Sequence, residues 1–61
     1  MERFIHNRTN KVVIVINEKA AGMCGKTIGM TMVIYEYENE KYDYPFIMED
    51  KEFYRHYTKV V

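Results

Sequence analysis

Short runs of β-branched and aromatic residues recur along the chain and predict about five strands. The most strongly apolar run, residues 11–17, is almost entirely Val and Ile. These side chains fit a pleated sheet and lose rotamer freedom in a helix. Because its apolar residues fall on both faces, we predict a central strand that is covered on both sides. The other strand candidates are residues 3–6, 30–37, 41–48 and 58–61.

Polar and glycine-containing segments separate these strands. Residues 7–10 and 38–40 predict the turns of two hairpins. Residues 18–29 contain all three glycines and show neither a period of two nor one of 3.6, which predicts a long mobile loop. Residues 50–57 carry two aromatic residues four positions apart and predict one or two helical turns capped by Asp50.

The order of these elements is that of an SH3-like barrel. We therefore predict a mainly β fold, a small SH3-like barrel of about five antiparallel strands with one short helical turn near the C-terminus. A plain antiparallel sheet is the alternative. Pro45 cannot donate a ladder hydrogen bond, so its strand is predicted to lie at an edge or to be interrupted there.

The length of 61 residues predicts a single domain spanning 1–61 with a thin core. A chain of this size buries only about 60% of the surface that it exposes when unfolded, which leaves no room for a large catalytic cleft. One cysteine, Cys24, excludes an internal disulfide framework and favours a reducing compartment. We find no signal-peptide pattern and no apolar run of membrane-spanning length, so we predict a cytoplasmic protein. Because the thin core leaves no room for a catalytic cleft, we also predict that the protein is not an enzyme.

Charge is balanced overall but unevenly distributed. Nine Lys and Arg match nine Asp and Glu, so no global field favours nucleic acid or an anionic membrane. Residues 36–52, however, hold seven acids against Lys41 and Lys51, a local net charge of 2 − 7 = −5. The acids alternate with tyrosines. One interpretation is a charged face that blunts strand pairing at a sheet edge.

A second interpretation of the same segment is a protein-binding surface. Tyr and Met are enriched in interface cores, and six Tyr with five Met exceed what so small a core absorbs. Aromatic anchors and steering acids would then bind a protein partner. The predicted partner-binding residues are Tyr35, Tyr37, Glu38, Glu40, Tyr42, Asp43 and Tyr44. A homodimer that pairs edge strands is a further prediction from the thin core.

The alternative function is a small nucleic-acid-binding β-barrel. Such barrels bind single strands through exposed aromatic residues beside a basic groove. The candidate residues are Arg3, Arg8, Lys11 and Lys26. Repulsion between phosphates and the acidic segment makes this alternative the weaker one.

Other chemistry finds little support in the residues. Residues 20–27 resemble a phosphate-binding loop whose first glycine is replaced by Ala20, but a strand rather than a helix is predicted to follow. Cys24 has only His6 and His56 as candidate bases, both on other elements. One Cys and two scattered His lack the spacing of metal ligands. We therefore expect no catalytic residue, no metal and no cofactor.

Four segments resemble a group of short, uncharacterised bacterial and bacteriophage domains. Those domains typically read aromatic-x-His-x-x-Thr-Gly, a Val-rich strand, a second strand of the Met-Val-Val-Tyr kind, and a final Glu-Phe with an aromatic four residues on. The matching segments are FIHNRTNKVV from Phe4, MVIY from Met32, EDKEF from Glu49 and YTKV from Tyr57.

The chain departs from the group in two places. Asn10 stands where the group has Gly, and the acidic second hairpin is longer. Asn adopts the same left-handed turn conformation, so the first hairpin is expected to survive. The resemblance implies a phage or prophage protein, which would act in the host cytoplasm. The separated charges and the surplus of tyrosines predict that it binds and inhibits a host protein. It implies no enzymatic activity.

Overall fold

A computed structural model describes residues 2–23 and 25–60 of the chain. It contains five strands, one short helix and a three-residue 3₁₀ turn at Gly25–Thr27. The elements are β1 (Glu2–His6), β2 (Val12–Ala21), β3 (Thr31–Tyr37), β4 (Phe46–Glu49), α1 (Asp50–His56) and β5 (Tyr57–Lys59). The prediction of a mainly β fold with one short helix near the C-terminus is confirmed.

The strands form one antiparallel sheet in the order β4-β3-β2-β1-β5. The Val-rich strand β2 is central, as its sequence predicts. Closure into an SH3-like barrel is not confirmed, because β4 and β5 are the two edges of the described sheet and do not pair with each other. The observed architecture is therefore an open five-stranded sheet with a helix on one face.

The core lies between the sheet and α1. Phe53, on the helix, is completely buried and sits among three other rings, with centroids 4.5 Å from Tyr57, 5.1 Å from Phe4 and 5.2 Å from Tyr35. Val13 and Val33 fill the sheet beneath these rings and are also fully buried. The sheet face that carries these residues is called the inner face below.

Helix α1 joins the two edge strands directly, with no intervening loop residues. Four strand spacings of about 4.8 Å would separate the edges of a flat five-stranded sheet by about 19 Å. A seven-residue helix rises only about 10 Å. The sheet must therefore curl around α1, and the helix occupies the space between the two edges. This geometry explains why the order of elements resembles that of a barrel although the strands do not close.

The opposite face of the sheet has no helix on it. In β2, Val13 and Val15 are buried on the inner face, whereas Ile16 is 45% exposed. The expectation that β2 is covered on both sides is therefore wrong for the described residues, since the apolar residues on its second face have no covering element. We call this second surface the open face. Its apolar members are Ile5, Val12, Ile14, Ile16, Met32, Ile34 and Ile47, of which Met32 is buried.

The first hairpin has the predicted turn. Asn10 has a φ of 62°, in the left-handed region, and its N–H donates to the carbonyl of His6 at 2.9 Å. The polar side chain of Asn tolerates this conformation better than most residues other than glycine. The substitution of Asn for Gly at this position is thus accommodated as expected.

Three predicted boundaries differ from the structure. Strand β2 continues to Ala21 through two register shifts, so residues 18–21, which were predicted to begin the long loop, belong to the strand. Residues 41–45 are not a strand, and β4 begins only after Pro45. Asp50 is the first helical residue rather than the cap; Glu49 occupies the N-cap position without a side-chain hydrogen bond.

Candidate functional site

The acidic segment between β3 and β4 forms a loop, residues 38–45, which we call the acidic loop. Two of its carboxylates are bound by the basic first hairpin. The Arg3 guanidinium donates to both oxygens of Glu38, at 2.7 and 3.1 Å, and Lys11 Nζ lies 3.1 Å from Glu40 Oε1. The opposite charges that are separated in the sequence are therefore partly neutralised in the fold.

Tyr42 ties the middle of the acidic loop back to the sheet. Its hydroxyl donates to Glu40 Oε2 at 2.5 Å, and its ring packs edge-on against Phe46 with centroids 5.0 Å apart. The hydrogen bond from Tyr42, together with Lys11, lowers the pKa of Glu40, and the same hydrogen bond raises the pKa of Tyr42. The loop is thus held at both Glu38 and Glu40 in one conformation.

A groove of about 360 Å³ lies between this loop and the open face. Five of the seven predicted partner-binding residues line it: Tyr37, Glu38, Glu40, Tyr42 and Tyr44. Tyr44 is the most exposed of them, with 82% of its surface accessible. Tyr42 is 55% exposed despite its packing on Phe46. The fold therefore collects most of the predicted residues on one concave surface.

The other two predicted residues lie outside the groove. Tyr35 is buried in the core, only 4% exposed, so it offers no surface to a partner. Burial also raises the pKa of its hydroxyl. Asp43 is exposed on the acidic loop but does not line the groove. The alternation of Tyr and acid in the sequence could not separate Tyr35 from the exposed tyrosines, because tyrosines occur both within β3 and in the loop that follows it.

Sequence reasoning missed four further residues of the groove. Ile14, Glu36, Lys41 and Phe46 also line it. Ile14 lies directly opposite Glu36 in the β2–β3 register, on the open face. The strict alternation of β2 predicts that Ile14 points away from Val13 and Val15, and this signal would have found it once the sheet was known to be open.

The four basic residues of the nucleic-acid alternative are not gathered on one surface. Arg3 and Lys11 are ion-paired with Glu38 and Glu40. Arg8 lies in the turn of the first hairpin, and Lys26 lies in the 3₁₀ turn between β2 and β3. A phosphate backbone would have to compete with two carboxylates for half of the proposed contacts.

The two histidines form a separate cluster. Their rings stack with centroids 6.2 Å apart at an interplanar angle of 3°, beside a shallow cavity. His6 Nδ1 accepts hydrogen bonds from the backbone N–H groups of Arg8 and Thr9 at 3.1 and 3.2 Å, which places it in the turn as a structural acceptor. His56 Nε2 lies 3.5 Å from a Glu52 carboxylate oxygen.

Residues 20–27 do not continue into the helix that a phosphate-binding loop requires. They comprise the end of β2 and the 3₁₀ turn, and β3 follows. Cys24 lies outside the described residues. Within residues 2–23 and 25–60, no three His, Cys, Asp or Glu side chains are grouped so that they could hold a metal ion. None of the described helices has the length and apolar character needed to cross a membrane.

Comparison of the chain with protein-family models, curated proteins and solved structures found no match.

Proposed function

We propose that this protein is a non-enzymatic protein-binding module whose partner docks on the acidic loop and the adjoining groove. The observation that carries the proposal is Tyr44, a large aromatic side chain that is 82% exposed at the rim of a concave surface. Tyr gains much from desolvation at an interface and loses little conformational entropy on binding. Tyr44 is therefore the proposed anchor.

The groove is organised before a partner arrives. The Arg3–Glu38 and Lys11–Glu40 ion pairs, together with the hydrogen bond from Tyr42 to Glu40, tie the acidic loop to the sheet. A loop that is already ordered loses less conformational entropy on association. We assign Tyr42 the role of a groove wall that supports the anchor.

One carboxylate of the groove, that of Glu36, favours a basic group on the partner, although Lys41 also lines the groove. Glu38 and Glu40 already have cationic partners, but Glu36 forms no ion pair with another described residue, and Asp43 is exposed. A guanidinium group from the partner could reach the Glu36 carboxylate while it contacts the face of the Tyr44 ring, which combines a charge-assisted hydrogen bond with a cation–π contact. The proposed ligand is thus an exposed Arg-containing segment of a protein.

The resemblance to bacterial and bacteriophage domains adds a phage or prophage origin to this proposal, which makes the partner a host or phage protein. The separation of charge along the chain and the surplus of tyrosines support the other part of the proposal, which is inhibition of a host protein that handles nucleic acid and so has a basic surface.

The test is an affinity pull-down from bacterial lysate, with and without nuclease treatment, using two variants, Tyr44→Ser and Glu36→Lys. Both leave the Arg3–Glu38 and Lys11–Glu40 pairs intact, so the loop keeps its conformation. Tyr54→Ser is the matched control, because Tyr54 is a half-exposed tyrosine on α1, away from the groove.

We expect one protein to be retained by the wild type and by Tyr54→Ser and to be lost with Tyr44→Ser and Glu36→Lys. Retention by all variants would refute the groove as the docking surface. Recovery only of nucleic-acid-associated proteins that disappear after nuclease treatment would favour the nucleic-acid alternative instead.

A further inference from the structure

Isoleucines lie on the open face at every strand from β1 to β4. The sheet register places Ile5, Ile14, Ile34 and Ile47 opposite the aromatic core, and Ile16 is 45% exposed at the register shift between Val15 and Asn17. Ile34 lies directly opposite Ile47, which is 60% exposed. The aromatic rings of the sheet pack on the inner face instead. The open face thus carries an aliphatic side chain on each of these strands, with Arg3, Asn17 and Glu36 beside them.

The chain exposes more surface than a monomer of its size usually does. Its accessible surface is 4832 Å². A typical folded monomer of the same 7.4 kDa mass exposes about 4,200 Å². The radius of gyration, 11.4 Å, also exceeds the value of about 10.5 Å expected for 61 residues. The excess surface is about 600 Å², which is of the order of one partner's share in a small specific interface.

We propose that a second copy of this chain covers the open face, giving a two-fold symmetric dimer of two sheets packed face to face. Aliphatic side chains of two sheets interdigitate at a separation of about 10 Å, as in β-sandwiches. Twice the excess surface, about 1,200 Å², lies at the lower limit of specific protein interfaces. The dimer is therefore expected to dissociate on dilution.

The charges that border the open face fit a second copy. Arg3 lies on the β1 side of β2, whereas Glu36 and Glu49 lie on the β3 and β4 side. A two-fold axis parallel to β2 places β1 of each copy over β3 of the other, so that Arg3, which is half-exposed beside its own Glu38, faces the second copy's Glu36 side twice by symmetry. The face is therefore self-complementary, with aliphatic side chains on every strand from β1 to β4 and opposite charges on the two sides of Ile14.

This inference is distinct from the proposed protein-binding groove, but Ile14 and Glu36 border both surfaces, so Glu36→Lys tests both proposals and Tyr44→Ser tests the groove alone. The two can fail independently. If Tyr44→Ser loses partner binding but still forms the dimer, the result bears on the groove alone. If an open-face variant loses the dimer but still binds the partner, the result bears on the open face alone.

The test is sedimentation equilibrium of the full chain from low micromolar to near-millimolar concentration. Ile47→Lys and Ile16→Lys each place a charge on an exposed part of the open face. Ile28→Lys is the matched control, because Ile28 is 69% exposed and follows the 3₁₀ turn rather than lying in the sheet. Far-UV circular dichroism verifies that each variant keeps the fold.

We expect the wild type and Ile28→Lys to approach twice the mass of one chain at high concentration. Both open-face variants should remain monomeric, with the dissociation constant of the dimer raised at least tenfold. A wild type that stays monomeric throughout would overturn the proposal. A dimer unaffected by Ile47→Lys and Ile16→Lys would overturn it too, because it would use another surface such as a sheet edge.

Methyl NMR with a soluble paramagnetic probe decides the matter without relying on variants. In the wild type at high concentration, the Ile14, Ile34 and Ile47 methyl signals should be protected from broadening, whereas Ile28 is broadened. Equal broadening of Ile47 and Ile28 would refute a covered open face even if a dimer is present.

Discussion

Truncation of Phe53 to Ala should remove most of the stability of this domain. Phe53 is completely buried at the centre of the ring cluster, stacked on Tyr57 and in edge or tilted contact with Phe4 and Tyr35. It is also the buried residue through which α1 contacts the sheet. Loss of its ring therefore leaves a cavity between the two layers and detaches the helix from the inner face.

The expected loss is large relative to the total. Phe→Ala in a well-packed core costs about 3–5 kcal/mol. A domain of 61 residues has a free energy of unfolding of about 3–9 kcal/mol at typical stability per residue. In a domain of this size each kcal/mol corresponds to about 4–8 °C in melting temperature, so a decrease of at least about 12 °C is expected.

Urea unfolding followed by far-UV circular dichroism measures the effect. Tyr44→Ala is the control, because it removes an equally large ring from an exposed position and should change the free energy of unfolding by less than about 0.5 kcal/mol. These measurements are made at a low protein concentration, where a dimer does not contribute. A loss below about 1 kcal/mol for Phe53→Ala would refute the argument that this ring organises the core.

Three further predictions concern the turn, an ion pair and pH. Asn10→Ala should lose about 1–2 kcal/mol because Asn10 has a positive φ, whereas Asn10→Gly should be neutral or stabilising in the same urea assay. A double-mutant cycle of Arg3→Ala and Glu38→Ala should give a coupling of about 0.2–1 kcal/mol that declines in high salt, since the pair is partly exposed; no coupling at low salt would contradict it. Burial raises the pKa of Tyr57 above its ordinary 10.0, so the stability that it contributes is complete below pH 10 and is lost as pH rises further. Tyr57→Phe should flatten that alkaline decline in the urea midpoint, and a decline of unchanged steepness in Tyr57→Phe and Tyr35→Phe would be the contrary result.

The pattern of β-branched residues predicts most of the sheet, because these side chains fit a pleated strand and lose rotamer freedom in a helix. The first hairpin follows from its polar turn, and the central position of β2 follows from its Val-rich sequence. The pattern cannot tell a strand covered on two faces from one whose second face is left open, because both require apolar residues on both sides. The error in the coverage of β2 and the prediction of barrel closure share this origin.

The candidate site was partly predictable for a similar reason. Tyrosines beside acids indicated the acidic loop, and the structure gathers five of the seven predicted residues, three Tyr and two Glu, into one groove. Local charge counting could not show that Arg3 and Lys11 would neutralise Glu38 and Glu40, because those contacts join residues about thirty positions apart. Tyr35 and Tyr44 look alike in sequence, and only the sheet register separates a core ring from a surface ring.

The direct connection of β4, α1 and β5 leaves the chain no slack between the two sheet edges. A single residue inserted within α1 before Phe53 would rotate that side chain by about 100° around the helix axis and turn it out of the core. Residues 43–45 of the acidic loop and residues 25–30 are not part of that connection and can absorb added length at little entropic cost. Among proteins with this fold, differences in chain length should therefore accumulate in these two loops, whereas the seven-residue helix α1 should keep its length.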